Sequence, residues 1–154
     1  MLHSLRSESN GRRFTDVLPT RADGLSLEDL LDVARSVIGE RAFEFAIRTL
    51  KLCRELSRRG PIGRHIASQL MGCGTSIGAN AEEAQDAQTK PDYIAKMAVS
   101  RKESRETLYW LRIAVRVQVA DADEIAWEMN EAGELRAMIV SAIKTAQSSS
   151  SRGS

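Results

Sequence analysis

The sequence predicts an all-α fold, an antiparallel up-down four-helix bundle with a short helical extension at its N-terminus. Three observations carry this prediction. Apolar residues recur at three- and four-residue spacing through five segments, no stretch alternates with period two, and the breaks between segments are short and carry helix-capping residues. Connections of about two to six residues favour neighbours packed antiparallel. A chain of 154 residues, 42% hydrophobic and 28% charged, can bury one core without disulfides or metal.

Residues 1–25 are polar, contain Asn10-Gly11 and Pro19, keep no period, and read as a mobile segment. Ser26 with Asp29 resembles a capping box. Leu27, Leu30, Leu31, Ala34, Val37 and Ile38 follow at helical spacing until Gly39, which gives a short amphipathic helix over 26–39. The bundle is expected over 40–146. Its first helix runs from about Glu40 to Arg59 with Phe43, Ile47, Leu50, Cys53 and Leu56 on one face, and ends at Gly60-Pro61. The second spans about Arg64 to Gln88 with Ile66, Leu70, Cys73, Ile77, Ala81 and Ala84 inward. The third starts at Thr89, which with Asp92 can form a capping box, and Pro91 suits its first turn. Ile94, Met97, Arg101, Ser104, Leu108, Leu111 and Val115 are its predicted inner positions. The fourth opens at Asp121 or Asp123 and carries Ile125, Met129, Ala132, Leu135, Ile139 and Ile143. Residues 147–154 are Ser-rich and read as a disordered tail.

Composition excludes several classes. No apolar run approaches the roughly 20 residues of a membrane helix, and Met1 to Asn10 lack the apolar stretch of a secretory signal. A cytoplasmic protein without membrane contact is the expectation. Cys53 and Cys73 sit in apolar helical patterns and read as small core residues. With two histidines in the chain, neither a histidine-rich metal site nor a Ser/His/Asp or Cys/His set is credible, and no cofactor or metal is expected. Gly72-Cys73-Gly74-Thr75-Ser76-Ile77-Gly78 looks like a phosphate loop but has no strand before it and no Lys after it. Three glycines inside a helix, each costing about 1 kcal/mol against Ala, point instead to close approach of a neighbouring helix.

An enzyme reading rests on Glu83 and Asp86 in the second helix and Glu103 and Glu106 in the third. Carboxylates three apart share a helix face, and two such pairs on facing helices would hold Mg²⁺ through oxygen ligands. That layout loosely resembles the all-α nucleoside triphosphate pyrophosphohydrolases. The competing reading is ion pairing with neighbouring arginines.

Charge is better organised. Residues 41–120 hold 14 Lys/Arg against 8 Asp/Glu, although the whole chain carries a formal net charge of +1. Arg101, Arg105, Arg112 and Arg116 project within an arc of roughly 60° at about 100° per residue. Such a stripe suits a phosphate backbone of RNA or DNA and reads no base sequence. The first helix adds Arg41, Arg48, Lys51, Arg54, Arg58 and Arg59, which wrap much of its circumference, and the competing reading is a solvated face paired with Glu82, Glu83, Asp86 and Glu106. Asn80 and Glu83 on one helix and Arg101 and Ser104 on the next predict a buried polar layer, because buried polar groups need partners. Trp110, Trp127 and Tyr109, each flanked by charges, have the character of interface anchors, and the equal alternative is that they cap the bundle core.

Ser-Ile-Gly-Ala-Asn-Ala-Glu-Glu-Ala at residues 76–84 resembles the signature of a bacterial four-helix bundle family whose first members are encoded in intervening sequences of 23S ribosomal RNA genes. Phe43 to Leu56, Gln69-Leu70 and the run from Lys102 to Leu111 match in the expected order, so the resemblance covers about residues 41–146. It implies a left-handed antiparallel bundle that assembles as a homopentamer. It also implies kinship to the accessory variability protein of diversity-generating retroelements, a basic pentamer that engages nucleic acid and a reverse transcriptase. Only structural positions carry over: Ser76, Asn80 and Glu83, with Ser104 completing the expected polar layer. A non-enzymatic scaffold or adaptor is therefore expected.

Overall fold

The computed structural model describes residues 24–148, which form four helices: α1 Leu27–Leu56, α2 Gly60–Gln85, α3 Lys90–Arg116 and α4 Ala126–Ser148. Apart from residues 24, 25, 147 and 148, the expected mobile segment 1–25 and tail 147–154 lie outside the described residues. Gln147 and Ser148 continue α4. Each helix packs on its neighbours in the cycle, α1 on α2, α2 on α3, α3 on α4 and α4 on α1, so the four form a square antiparallel bundle. Among the described residues no helix is long and apolar enough to cross a membrane.

The extension and the first bundle helix are a single element. Ser26 accepts from the Asp29 N–H while the Asp29 carboxylate accepts from the Ser26 N–H, the predicted capping box. The helix then passes unbroken through Gly39. One interior Gly costs about 1 kcal/mol, less than the burial of Ile38, Ala42 and Phe45 on either side of it returns. α1 ends at Leu56, and Arg59 and a left-handed Gly60 make the turn. Pro61 therefore opens α2 rather than closing α1. Thr89 caps α3 by accepting from the Asp92 N–H. Its other end has a Schellman motif in which Gln118 and Val119 donate to Val115 and Ala114, with Gln118 in the left-handed region usually given to Gly. α4 begins at Ala126, later than the acidic residues suggested, because 122–125 form turns that bury Ile125.

The inward face of α1 also differs from the predicted one. Phe43 is 62% exposed and Leu50 42%, while Ala42, Phe45, Thr49 and Leu52 are buried. The reason lies on α2. A Cβ at Gly74 would stand 2.7 Å from Thr49 Cγ2, and one at Gly78 would stand 3.3 Å from the Ala42 carbonyl oxygen. The glycine string is a helix contact, and small residues, not the largest apolar ones, form the α1–α2 seam. On α3, Arg101 is exposed and Leu108 and Val115 are half-buried, and the inward line is Tyr93, Met97, Ser100, Ser104, Thr107, Leu111 and Ala114. Two apolar clusters fill the interior: one around Phe45, Ile77, Met97 and Ile139, the other around Leu56, Leu70, Leu111 and Ile125.

Candidate functional site

The enzyme reading depends on whether the four carboxylates converge. Glu83 is exposed and pairs with Lys96 across the α2–α3 turn. Ser100 donates to the Ile77 carbonyl 2.8 Å away, which fixes the same antiparallel register further along. In that register Glu103 and Glu106 lie two or more helical turns beyond Glu83, about 10 Å or more along the axis. Asp86 is exposed at the C-cap of α2. Among the described residues no three His, Cys, Asp or Glu side chains form a group able to hold a metal ion. Burial, and next the neighbouring Glu106, push the Glu103 carboxyl above the ordinary range. The four carboxylates are thus two separate pairs.

The polar layer takes a different form from the predicted one. Asn80 donates to the Ser76 carbonyl one turn back, and Glu83 turns outward to Lys96. Neither meets Arg101 or Ser104. Instead α3 buries three hydroxyls that donate to carbonyls: Ser100 to Ile77 across the interface, Ser104 to Arg101 and Thr107 to Glu103 within the helix. Hydroxyls satisfy themselves on a helix backbone without a charged partner, so the layer needs no arginine.

Ion pairs between distant segments are the feature that sequence reasoning missed. Arg41 makes a two-pronged contact with Glu131, Nε to Oε1 at 2.7 Å and Nη2 to Oε2 at 2.8 Å. Arg48 pairs with the buried Glu128 at 3.4 Å, and its guanidinium lies 3.9 Å from the centre of the Trp127 ring. Arg59 pairs with Glu124. Arg41 and Arg48 of α1 and Arg59 of the turn that follows it therefore face three acidic residues in the segment 124–131, in antiparallel order. The signal was present as a basic middle and an acidic C-terminal flank, but its pairing needs the α1–α4 contact. Arg54 and Arg58 approach Glu55. Of the six cations between residues 41 and 59 offered for phosphate, only Lys51 is left without an ion pair among the described residues.

The α3 stripe is the contrast. Arg101, Arg105, Arg112 and Arg116 are all exposed, and none makes an ion pair among the described residues. Tyr109, 56% exposed, stands beside them and packs edge-on against Trp110 with centroids 5.3 Å apart. Trp127, by contrast, stacks on Phe45 at 6.1 Å and belongs to the edge of the core. The C-terminal half of the stripe borders a groove of about 850 Å³ between α3 and α4.

A family model described as 23S rRNA-intervening sequence protein matches residues 35–141. Among solved structures, a protein of unknown function from the S23 ribosomal protein family of Bacteroides thetaiotaomicron is 31% identical, with a TM-score of 0.67 over 72% of this chain and 98% of that one. No curated protein matches. The fold of four helices, the signature around Asn80 and the match over most of the bundle agree, and the chain belongs to the 23S rRNA-intervening sequence protein family.

Proposed function

We propose that this protein is a non-enzymatic helical-bundle scaffold that self-associates in the cytoplasm and holds nucleic acid by its sugar-phosphate backbone. One observation carries the reading: the arginines of α1 are mostly neutralised within the bundle, whereas the four on α3 are exposed and without an ion pair among the described residues. Arg101 and Arg105, together with the exposed Lys102, stand clear of the α3–α4 groove and are open to phosphate. A row of cations binds phosphate by counterion release and discriminates little between sequences. Kinship to the accessory variability protein, a basic pentamer, is part of the same proposal, since a ring of copies would repeat the stripe.

Fluorescence anisotropy with labelled RNA and duplex DNA tests it. Binding should weaken with salt at a log–log slope of about −0.9 per phosphate contact on duplex DNA, and scrambled sequences should bind alike. Arg101→Gln with Arg105→Gln should flatten that slope by about two contacts while the circular dichroism spectrum is kept. No binding to either nucleic acid at low salt, with protein at about 100 micromolar, well within the usual non-specific range, removes the nucleic-acid half of the proposal.

A further inference from the structure

Two surfaces on opposite seams of the bundle have complementary chemistry. The first is the α3–α4 groove, lined by apolar Ile113, Val117 and Met129 and bordered by Tyr109, Arg112 and Arg116. Arg112 and Arg116 are one helical turn apart, exposed, and make no ion pair among the described residues. The second is the outer ridge of α1 beside α2. There Phe43 is 62% exposed and Leu50 42%, with the half-buried Ile47 between them and Met71 of α2 across the seam. Glu40 and Glu44 border Phe43, are also one turn apart and exposed, and have no ion pair among the described residues either.

We infer that the Phe43 ridge of one copy seats in the α3–α4 groove of the next, with Glu40 and Glu44 meeting Arg112 and Arg116. This rests on the self-association proposed above and says which surfaces make it. Both charge pairs repeat at the same i, i+4 interval, about 6 Å along a helix, so two antiparallel or parallel helices bring both contacts into register together. Large apolar side chains in the middle with charges at the edge is the usual anatomy of a protein interface. A ridge left exposed by the small-residue packing of α1 on α2 gains a reason, since Phe43 is the most exposed large hydrophobic side chain among the described residues. The α1–α2 and α3–α4 seams lie on opposite sides of the square, so the contact is head-to-tail. Repeated with a constant rotation, such a contact closes a ring. It also divides the α3 stripe: Arg112 and Arg116 face the neighbouring copy, and Arg101 and Arg105, two or more turns away, remain outside it.

Charge reversal on the full chain tests the assignment by light scattering at micromolar concentration, with circular dichroism to confirm folding. All four positions are exposed, so the variants keep the bundle. The wild type should have a mass that is a multiple of 17.0 kDa. Glu40→Arg with Glu44→Arg, and separately Arg112→Glu with Arg116→Glu, should each fall toward the monomer mass, and combining all four reversals should restore assembly. Phe43→Ser should dissociate it without any change of charge. A wild-type oligomer that ignores both double reversals overturns this interface and leaves self-association standing. Dissociation by both doubles without rescue in the quadruple variant overturns the pairing of these surfaces. A monomeric wild type removes the self-association reading itself.

Discussion

Gly72 and Gly74 lie two residues apart on α2, and the same substitution should have opposite effects at the two. At Gly72 a Cβ meets nothing within 4 Å. Gly72→Ala therefore gains helix propensity alone, up to about 1 kcal/mol. At Gly74 the added carbon would sit 2.7 Å from Thr49 Cγ2 and 3.4 Å from both Thr49 Cβ and Oγ1. Thr49 is β-branched, 1% exposed and wedged between helices, so it has little room to turn away. Overpacking of this kind costs about 1–3 kcal/mol, against the same propensity gain, and leaves Gly74→Ala destabilised by about 0–2 kcal/mol. For a chain of this size 1 kcal/mol moves Tm by about 2–4 °C. The Gly72→Ala protein should thus melt higher than the Gly74→Ala protein by several degrees, at equal protomer concentration. Thr49 Oγ1 has no hydrogen-bond partner among the described residues, so Thr49→Ala gives up no bond and should relieve the clash. A double-mutant cycle between Thr49→Ala and Gly74→Ala should show coupling of about 1 kcal/mol or more. Gly74→Ala melting at or above Gly72→Ala, or no coupling to Thr49, would refute the claim that the glycine string exists for helix contact.

Four further outcomes are expected. Glu131→Ala leaves Arg41 half-buried without its two-pronged partner and should cost about 2–3 kcal/mol in urea unfolding, whereas adding Arg41→Met should return part of it; equal or additive losses speak against coupling. The hydrogen bond from Arg59 holds the Glu124 carboxyl below its ordinary value of 4.5. Its contribution is therefore present above that pH and lost as pH falls through the lower folded value. The pair is partly exposed, so the loss should stay under about 1 kcal/mol, and Glu124→Gln should remove that part of the acid sensitivity. Glu103 has the opposite sign, since burial raises its carboxyl, and Glu103→Gln should stabilise the protein at neutral pH. Burial pushes the Cys53 thiol up to about 11 and raises Cys73 as well. Neither should react with a thiol reagent at pH 8 until urea unfolds the chain, because the thiolate is the reactive form; rapid native labelling would contradict their burial.

The sequence alone determined the helical class, the number of bundle helices and most of their caps. Period, capping residues and turn residues act locally, and they act before any helix meets another. Ser26-Asp29, Thr89 and Gly60 all did in the structure what their chemistry requires nearby. The signature around Asn80 also identified the family. What only tertiary structure decided was which side of each helix faces inward. α1 offers two apolar stripes of nearly equal period, and hydrophobicity favours the one with Phe43 and Leu50. The α2 glycines at 74 and 78 admit Thr49 and Ala42 at close range, and that rotation buries Phe45 and Leu52 and turns Phe43 and Leu50 outward. The charges follow the same rule. Arg41, Arg48 and Arg59 and the arginines of α3 are indistinguishable as residue types, yet the first three find Glu131, Glu128 and Glu124 because α1 packs on α4. Pairing across 65 to 90 residues leaves no local trace in a sequence. It is set by which helices become neighbours, and that choice leaves the four arginines of α3 exposed.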